Sequence, residues 1–190
     1  MKHLWRSWPG SRPREKTECE YFEGFARFTR ATGVDLHSVR VLGLGQDPKR
    51  VVAEAIRRKR EDAARNLRED RYSQVWCVFD VDTHETLQAA VIEARRNSIR
   101  IAVSNPCFEI WLLWHFEDHH AEVSADTLRR RLRRHHCHEK SIPREFSFER
   151  YVDAVKRALR RPDETDAYLV PANPGTTVPP LVQLLAGREV

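Results

Sequence analysis

Two aspartates stand two residues apart at the end of an apolar run, in Val78-Phe79-Asp80-Val81-Asp82-Thr83-His84. Residues i and i+2 of a strand project to one face, so these carboxylates repel each other near a core unless a positive charge lies between them. A hard divalent cation, Mg²⁺ or Mn²⁺, answers that repulsion. A second acidic position follows in Ser104-Asn105-Pro106-Cys107-Phe108-Glu109, which leaves another strand end and enters an apolar helix. Glu109 in the first turn favours the helix dipole, and it also lies on the same strand-end edge as Asp80. Three acidic oxygen donors, Asp80, Asp82 and Glu109, around one or two Mg²⁺ ions would activate water and stabilise the leaving oxygen of a phosphodiester, with His84 touching metal-bound water or a phosphate. The competing assignment is structural: Asp82 caps the next helix and Asp80 hydrogen-bonds to loop amides.

A basic run supplies the complementary charge. Leu128 to Arg134 holds Arg129, Arg130, Arg131, Arg133 and Arg134, five arginines in seven positions, followed by His135 and His136. Such a run neutralises several phosphates of a nucleic acid, DNA or RNA alike, while Leu128 and Leu132 at i, i+4 give the same segment an inward face. Over the whole chain, 33 basic against 28 acidic residues leave a net charge of +5.

Around these residues the 190-residue chain reads as one α/β unit. Hydrophobic residues at 41% and charged residues at 32% argue against a disordered or fibrous chain. No apolar stretch approaches the roughly 20 residues that span a bilayer, and the start is too interrupted for a signal peptide, so a cytoplasmic protein without membrane attachment is expected. The four cysteines lie far apart without a Cys-x-x-Cys pair, which predicts reduced thiols. His135-His136-Cys137-His138 does not make a zinc site, because adjacent helical residues diverge by about 100°.

Tyr21, Phe22, Phe25 and Phe28 predict a helix over about 18–31, with Thr17 as a possible N-cap. A β-like segment ends at Gly43-Leu44-Gly45, and Asp47-Pro48 opens a long helix. Val75 to Phe79 reads as a strand buried on both faces, Leu87 to Ala94 as a helix, Ile99 to Ser104 as a second strand and Phe108 to Phe116 as an apolar helix. The alternation implies a parallel sheet with its loops at the strand carboxyl ends, where α/β sites lie. Residues 1–116 form the expected core. Residues 117–190 form a mostly helical region packed on it, with a proline-rich turn at Pro171 to Gly175 before the last helix.

Five segments carry a resemblance: Tyr21-Phe22-Glu23-Gly24, Gly43-Leu44-Gly45-Gln46-Asp47-Pro48-Lys49, Val75 to His84, Ser104 to Phe116, and Asn173 to Val178. Together they resemble the RloB-like family, from about Glu15 to the C-terminus. That resemblance implies a TOPRIM-like fold, a small parallel sheet flanked by helices, and a Mg²⁺-dependent nuclease role in bacterial anti-phage or restriction-linked defence, often beside an ATPase encoded nearby. It carries over Asp80 and Asp82 as metal ligands, with His84 and Glu109 as site neighbours. Members usually carry Cys-Glu-Gly-Glu-Lys-Thr-Glu after a first strand, the first glutamate being the general acid/base. Here Arg12-Pro13-Arg14-Glu15-Lys16-Thr17-Glu18 stands in its place. Pro13 has no proton to give, so either Glu15 or Glu18 substitutes, with Glu15 the better candidate because Glu18 begins the first helix. If neither substitutes, the protein is a non-catalytic nucleic-acid-binding or partner-regulating relative.

Overall fold

Val75 to Phe79 and Ile101 to Val103 are buried without interruption, the pattern of strands covered on both faces. The computed structural model describes residues 16–31, 39–42, 47–65, 72, 74–81, 86–138, 141–160 and 170–187. Along them run α1 (Lys16–Ala31), β1 (Val39–Leu42), α2 (Pro48–Arg65), β2 (Gln74–Asp80), α3 (Leu87–Arg96), β3 (Arg100–Asn105), α4 (Glu109–Phe116), α5 (Ala125–Leu132), α6 (Tyr151–Ala158), β4 (Gly175–Thr176) and α7 (Pro179–Leu185). The protein is a mixed α/β fold. None of the described helices is long and apolar enough to cross a membrane.

The sheet order is β1-β2-β3-β4. β1, β2 and β3 run parallel, with Asp80 paired to Ser104 at their carboxyl ends. β4 is antiparallel to β3, so that Ser104 also pairs with Thr176. The turn expected near residue 175 is thus partly a strand. Two residues are too short for any hydrophobic period; the pairing is held by a 2.8 Å backbone bond from the Thr177 N–H to the Val103 carbonyl, and side chains add a 2.8 Å contact between the Ser104 and Thr176 hydroxyls and a 2.8 Å bond from the Val103 amide to Thr177 Oγ1.

Alternation of side chains divides the interior into two layers. Cys77, Phe79, Ile101 and Val103 face α2 and α3, meeting Val51, Val52, Ala55, Leu87, Ala90 and Val91. Lys59 reaches from α2 to the carbonyls of Asn97 and Ser98, both at 2.9 Å, and so ties down the C-terminal end of α3. Trp76, Val78 and Ala102 face the larger layer built from α1, α4, α5, α6 and α7. Here residues beyond 116 share one core with α1: Leu128, Tyr151, Leu181 and Val182 belong to the same cluster as Tyr21, Phe22 and Phe25. Gly24 makes room in that layer, since a Cβ there would lie 2.2 Å from Phe148 Cζ. The Phe148 ring is itself hemmed in by Tyr21, Phe25 and Phe146.

The polar group at the centre of this layer is His115. Its Nε2 meets the Tyr21 hydroxyl at 3.1 Å and its Nδ1 the Trp111 carbonyl at 3.0 Å. Burial lowers its pKa from 6.5 to about 3, against the opposing effect of the Trp111 carbonyl. Between those values the unfolded chain binds a proton that the native state refuses, so stability is lost as pH falls below about 6.5. Thermal melts between about pH 7 and pH 4.5 should therefore decline more steeply for the wild type than for His115→Gln. Parallel declines would assign the acid sensitivity to other groups.

Candidate active site at the carboxyl edge of the sheet

β2 and β3 end side by side, and the alternation that sends Trp76 and Val78 toward α4 sends Asp80 the same way. α4 starts at Glu109, and its N-cap residue Phe108 offers no capping side chain. Asp80 supplies that function from another strand, its Oδ1 accepting the Phe108 N–H at 2.8 Å. The structural role weighed for Asp80 is thus present in the fold, and it fixes the carboxylate at the strand end.

The buried Cys107 comes just before Phe108. Burial pushes its thiol well up, and the charges of Glu109 and Asp80 push it further, so it stays protonated. Glu109 is 5% exposed. On its other side Arg129 Nε stands 4.0 Å from Oε1, outside hydrogen-bonding distance. That Nε is buried and has no hydrogen-bond partner among the described residues. The other end of the guanidinium is anchored, Nη1 meeting Asp126 Oδ1 at 2.6 Å. Beside the pair opens a cavity of about 300 Å³ lined by Thr17, Glu109, Leu112, Arg129, Leu132 and Arg133, among others.

Asp80 offers the hard oxygen donors that Mg²⁺ or Mn²⁺ selects. Among the described residues, however, no three His, Cys, Asp or Glu side chains gather to hold a metal ion. α5 packs across α4 and sets the Arg129 guanidinium against Glu109, which already balances that charge. Asp82, His84 and Glu15 lie outside the described residues.

The arginine run is sorted by helical geometry. α5 begins at Ala125 because Ser124 caps it, accepting the Thr127 N–H at 3.3 Å. Leu128 and Leu132 then point inward. Arg129 and Arg133, four apart, border the cavity. Arg130, Arg133 and Arg134 are exposed. Arg131 turns elsewhere: its Nε donates to Glu117 Oε1 at 2.7 Å and its Nη1 meets His119 Nδ1. The guanidinium holds the Glu117 carboxyl below its usual range. Asp118-His119-His120 is likewise an ion-pair cluster, with Asp118 bridged to Arg157 and Arg160.

Asp47 belongs to the same edge and was legible in the sequence only as a helix opener. Its Oδ1 accepts the Lys49 and Arg50 amides at 3.0 and 3.3 Å, and its Oδ2 accepts the Thr86 hydroxyl at 2.7 Å. One carboxylate thereby joins the start of α2 to the start of α3. Asp-Pro before a helix signals the first two bonds, whereas nothing local signals a partner 39 residues away.

A family model described as RloB-like protein matches residues 14–185 of the chain. No curated protein and no solved structure matches it.

Proposed function

The chain belongs to the RloB-like protein family, and from that premise we propose that it is a Mg²⁺- or Mn²⁺-dependent phosphodiesterase, a nuclease on a TOPRIM-like core. The observation that carries the reading is the position of Asp80, held by the Phe108 amide at the carboxyl edge of a parallel sheet and followed by an α4 that packs against an arginine-bearing helix. Asp80 and Asp82 would hold the ion. When bound, it would supply charge for the phosphoryl oxygens and a more acidic water. The chain's own residues do the rest: the Phe108 N–H orients Asp80, Arg129 and Arg133 bind the strand beside the cavity, and Arg130 and Arg134 offer exposed charge to neighbouring phosphates. Glu15 and His84 are the groups proposed to move protons. A cytoplasmic role in anti-phage defence, beside an ATPase encoded nearby, belongs to the same proposal and rests on the family resemblance.

A second reading has an observation of its own. Asp80 already accepts an amide N–H and Glu109 already faces a guanidinium, so each described carboxylate has a role in the fold without a metal. That arrangement also suits a nucleic-acid-binding or partner-regulating protein without turnover. Incubation with DNA, RNA and transfer RNA in Mg²⁺, Mn²⁺ and EDTA separates the two. Cleavage that EDTA stops is the expected result; binding without cleavage on all three would establish the second reading.

A further inference from the structure

One arginine of the basic run also faces the acidic edge. Arg129 Nε lies 4.0 Å from Glu109 Oε1, and Glu109 is the residue after Phe108, whose N–H holds Asp80 at 2.8 Å. A guanidinium charge is thus set beside the carboxylates of that edge, and Glu109 and Asp80 both act electrostatically on the buried Cys107 thiol. Glu109 is 5% exposed, so salt and water screen its pairing with Arg129 far less than they screen a surface pair.

The same arginine also reaches solvent. Its side chain is 40% exposed, and it borders the cavity together with the exposed Arg133. Its outer tie, from Nη1 to Asp126 at 2.6 Å, is a surface pair whose carboxylate is 86% exposed, and such pairs hold weakly. Among the described residues the other arginines of the run do not combine these positions. Arg131 is committed to Glu117 and His119, while Arg130 and Arg134 stand exposed on the outer face. A guanidinium keeps its charge at any working pH, so what changes its effect on Glu109 is a second anion rather than a proton. A strand phosphate is such an anion. A cation arriving at Asp80 without a strand meets a Glu109 charge already offset; with a phosphate on Arg129, that offset is weakened.

We propose that Arg129 acts through Glu109 as a positioning residue that couples strand binding to cation binding: without a strand its guanidinium offsets Glu109 and weakens the hold of the carboxyl edge on Mg²⁺ or Mn²⁺, and a phosphate taken up by Arg129 returns that negative charge to the edge. Linkage makes the coupling reciprocal, so a bound cation tightens the strand by the same factor. The inference rests on the phosphodiesterase reading for both ligands. It adds that the edge gains its full affinity for the ion only when substrate is in place.

Titration of the full chain with Mn²⁺, followed through the paramagnetic resonance of the free ion, tests this without turnover. In the absence of nucleic acid, Arg129→Gln is expected to bind Mn²⁺ at least about five-fold more tightly than the wild type. Arg129→Lys, which keeps the charge, and Arg60→Gln, which removes an exposed charge from α2, should match the wild type. Short phosphorothioate strands of DNA and RNA, which resist cleavage, should tighten Mn²⁺ binding at least about five-fold in the wild type and by less in Arg129→Gln, with the strand alone as the blank. Equal Mn²⁺ affinity in the wild type and Arg129→Gln, a gain that Arg129→Lys or Arg60→Gln shares, or the same response to the strand in both proteins would each overturn the proposal. Mn²⁺ binding and cleavage without any effect of Arg129→Gln remove the coupling and leave the phosphodiesterase standing. Failure of every protein to bind Mn²⁺, with or without a strand, removes both.

Discussion

Asp80→Asn should lower metal-dependent cleavage by at least about a hundred-fold while leaving the melting temperature within a few degrees of the wild type. The two effects separate because Asp80 does two things. Its Oδ1 accepts the Phe108 N–H at 2.8 Å, and an asparagine keeps an oxygen there. What asparagine lacks is the negative charge that a divalent cation at the strand end needs. Asp80→Ala removes both, and it should cost about 1 kcal/mol more in stability, the usual worth of an N-cap acceptor. Urea melts of the two variants measure the cap; single-turnover cleavage in Mg²⁺ measures the charge. Full cleavage by the asparagine variant would end Asp80's assignment as a metal ligand.

Joint replacement of Arg133 and Arg134 by alanine should weaken binding to a fixed oligonucleotide about ten-fold, and should flatten the plot of log affinity against log salt by about 1.5 units of slope. Both side chains are exposed, so the loss falls on ion release rather than on folding. Arg131→Ala is the contrasting case. Its guanidinium is already committed to Glu117 and His119, and both partners of the Glu117 pair are partly shielded. Its removal should cost stability, about 1 kcal/mol or less, and leave the salt slope unchanged. Fluorescence anisotropy at four or five salt concentrations distinguishes the three proteins. An unaltered slope in the double variant would place nucleic-acid binding on another surface.

The contrast between Arg131 and its neighbours also marks how far the sequence could be read. The arginine run and its two inward leucines are local, so α5 and its basic character were legible. Which arginine faces which partner depends on Glu117, Glu109 and the packing of α5 on α4, and no spacing within the run encodes that. β2, β3 and α4 were legible for a similar reason: unbroken apolar runs and the punctuation at Asp80 and Asn105-Pro106 define each element by itself. The bond from the Phe108 N–H to Asp80 spans 28 residues and was foreseen only as a kind of interaction, a loop amide, without its donor. Glu109 was placed at the correct edge, but its approach to Arg129 follows from tertiary packing. β4 was missed because two residues have no periodicity, and its hold on β3 runs partly through threonine hydroxyls.

That late strand has a bearing on biogenesis. Thr176 closes the ladder next to Ser104, the residue paired with Asp80, and α7 then delivers Leu181 and Val182 to the interior that α1 began. A growing polypeptide therefore cannot finish the wall behind its acidic edge until residues 175–185 have left the ribosome. The strand end beside Asp80 thus takes its final neighbours only when the remote end of the sequence is in place.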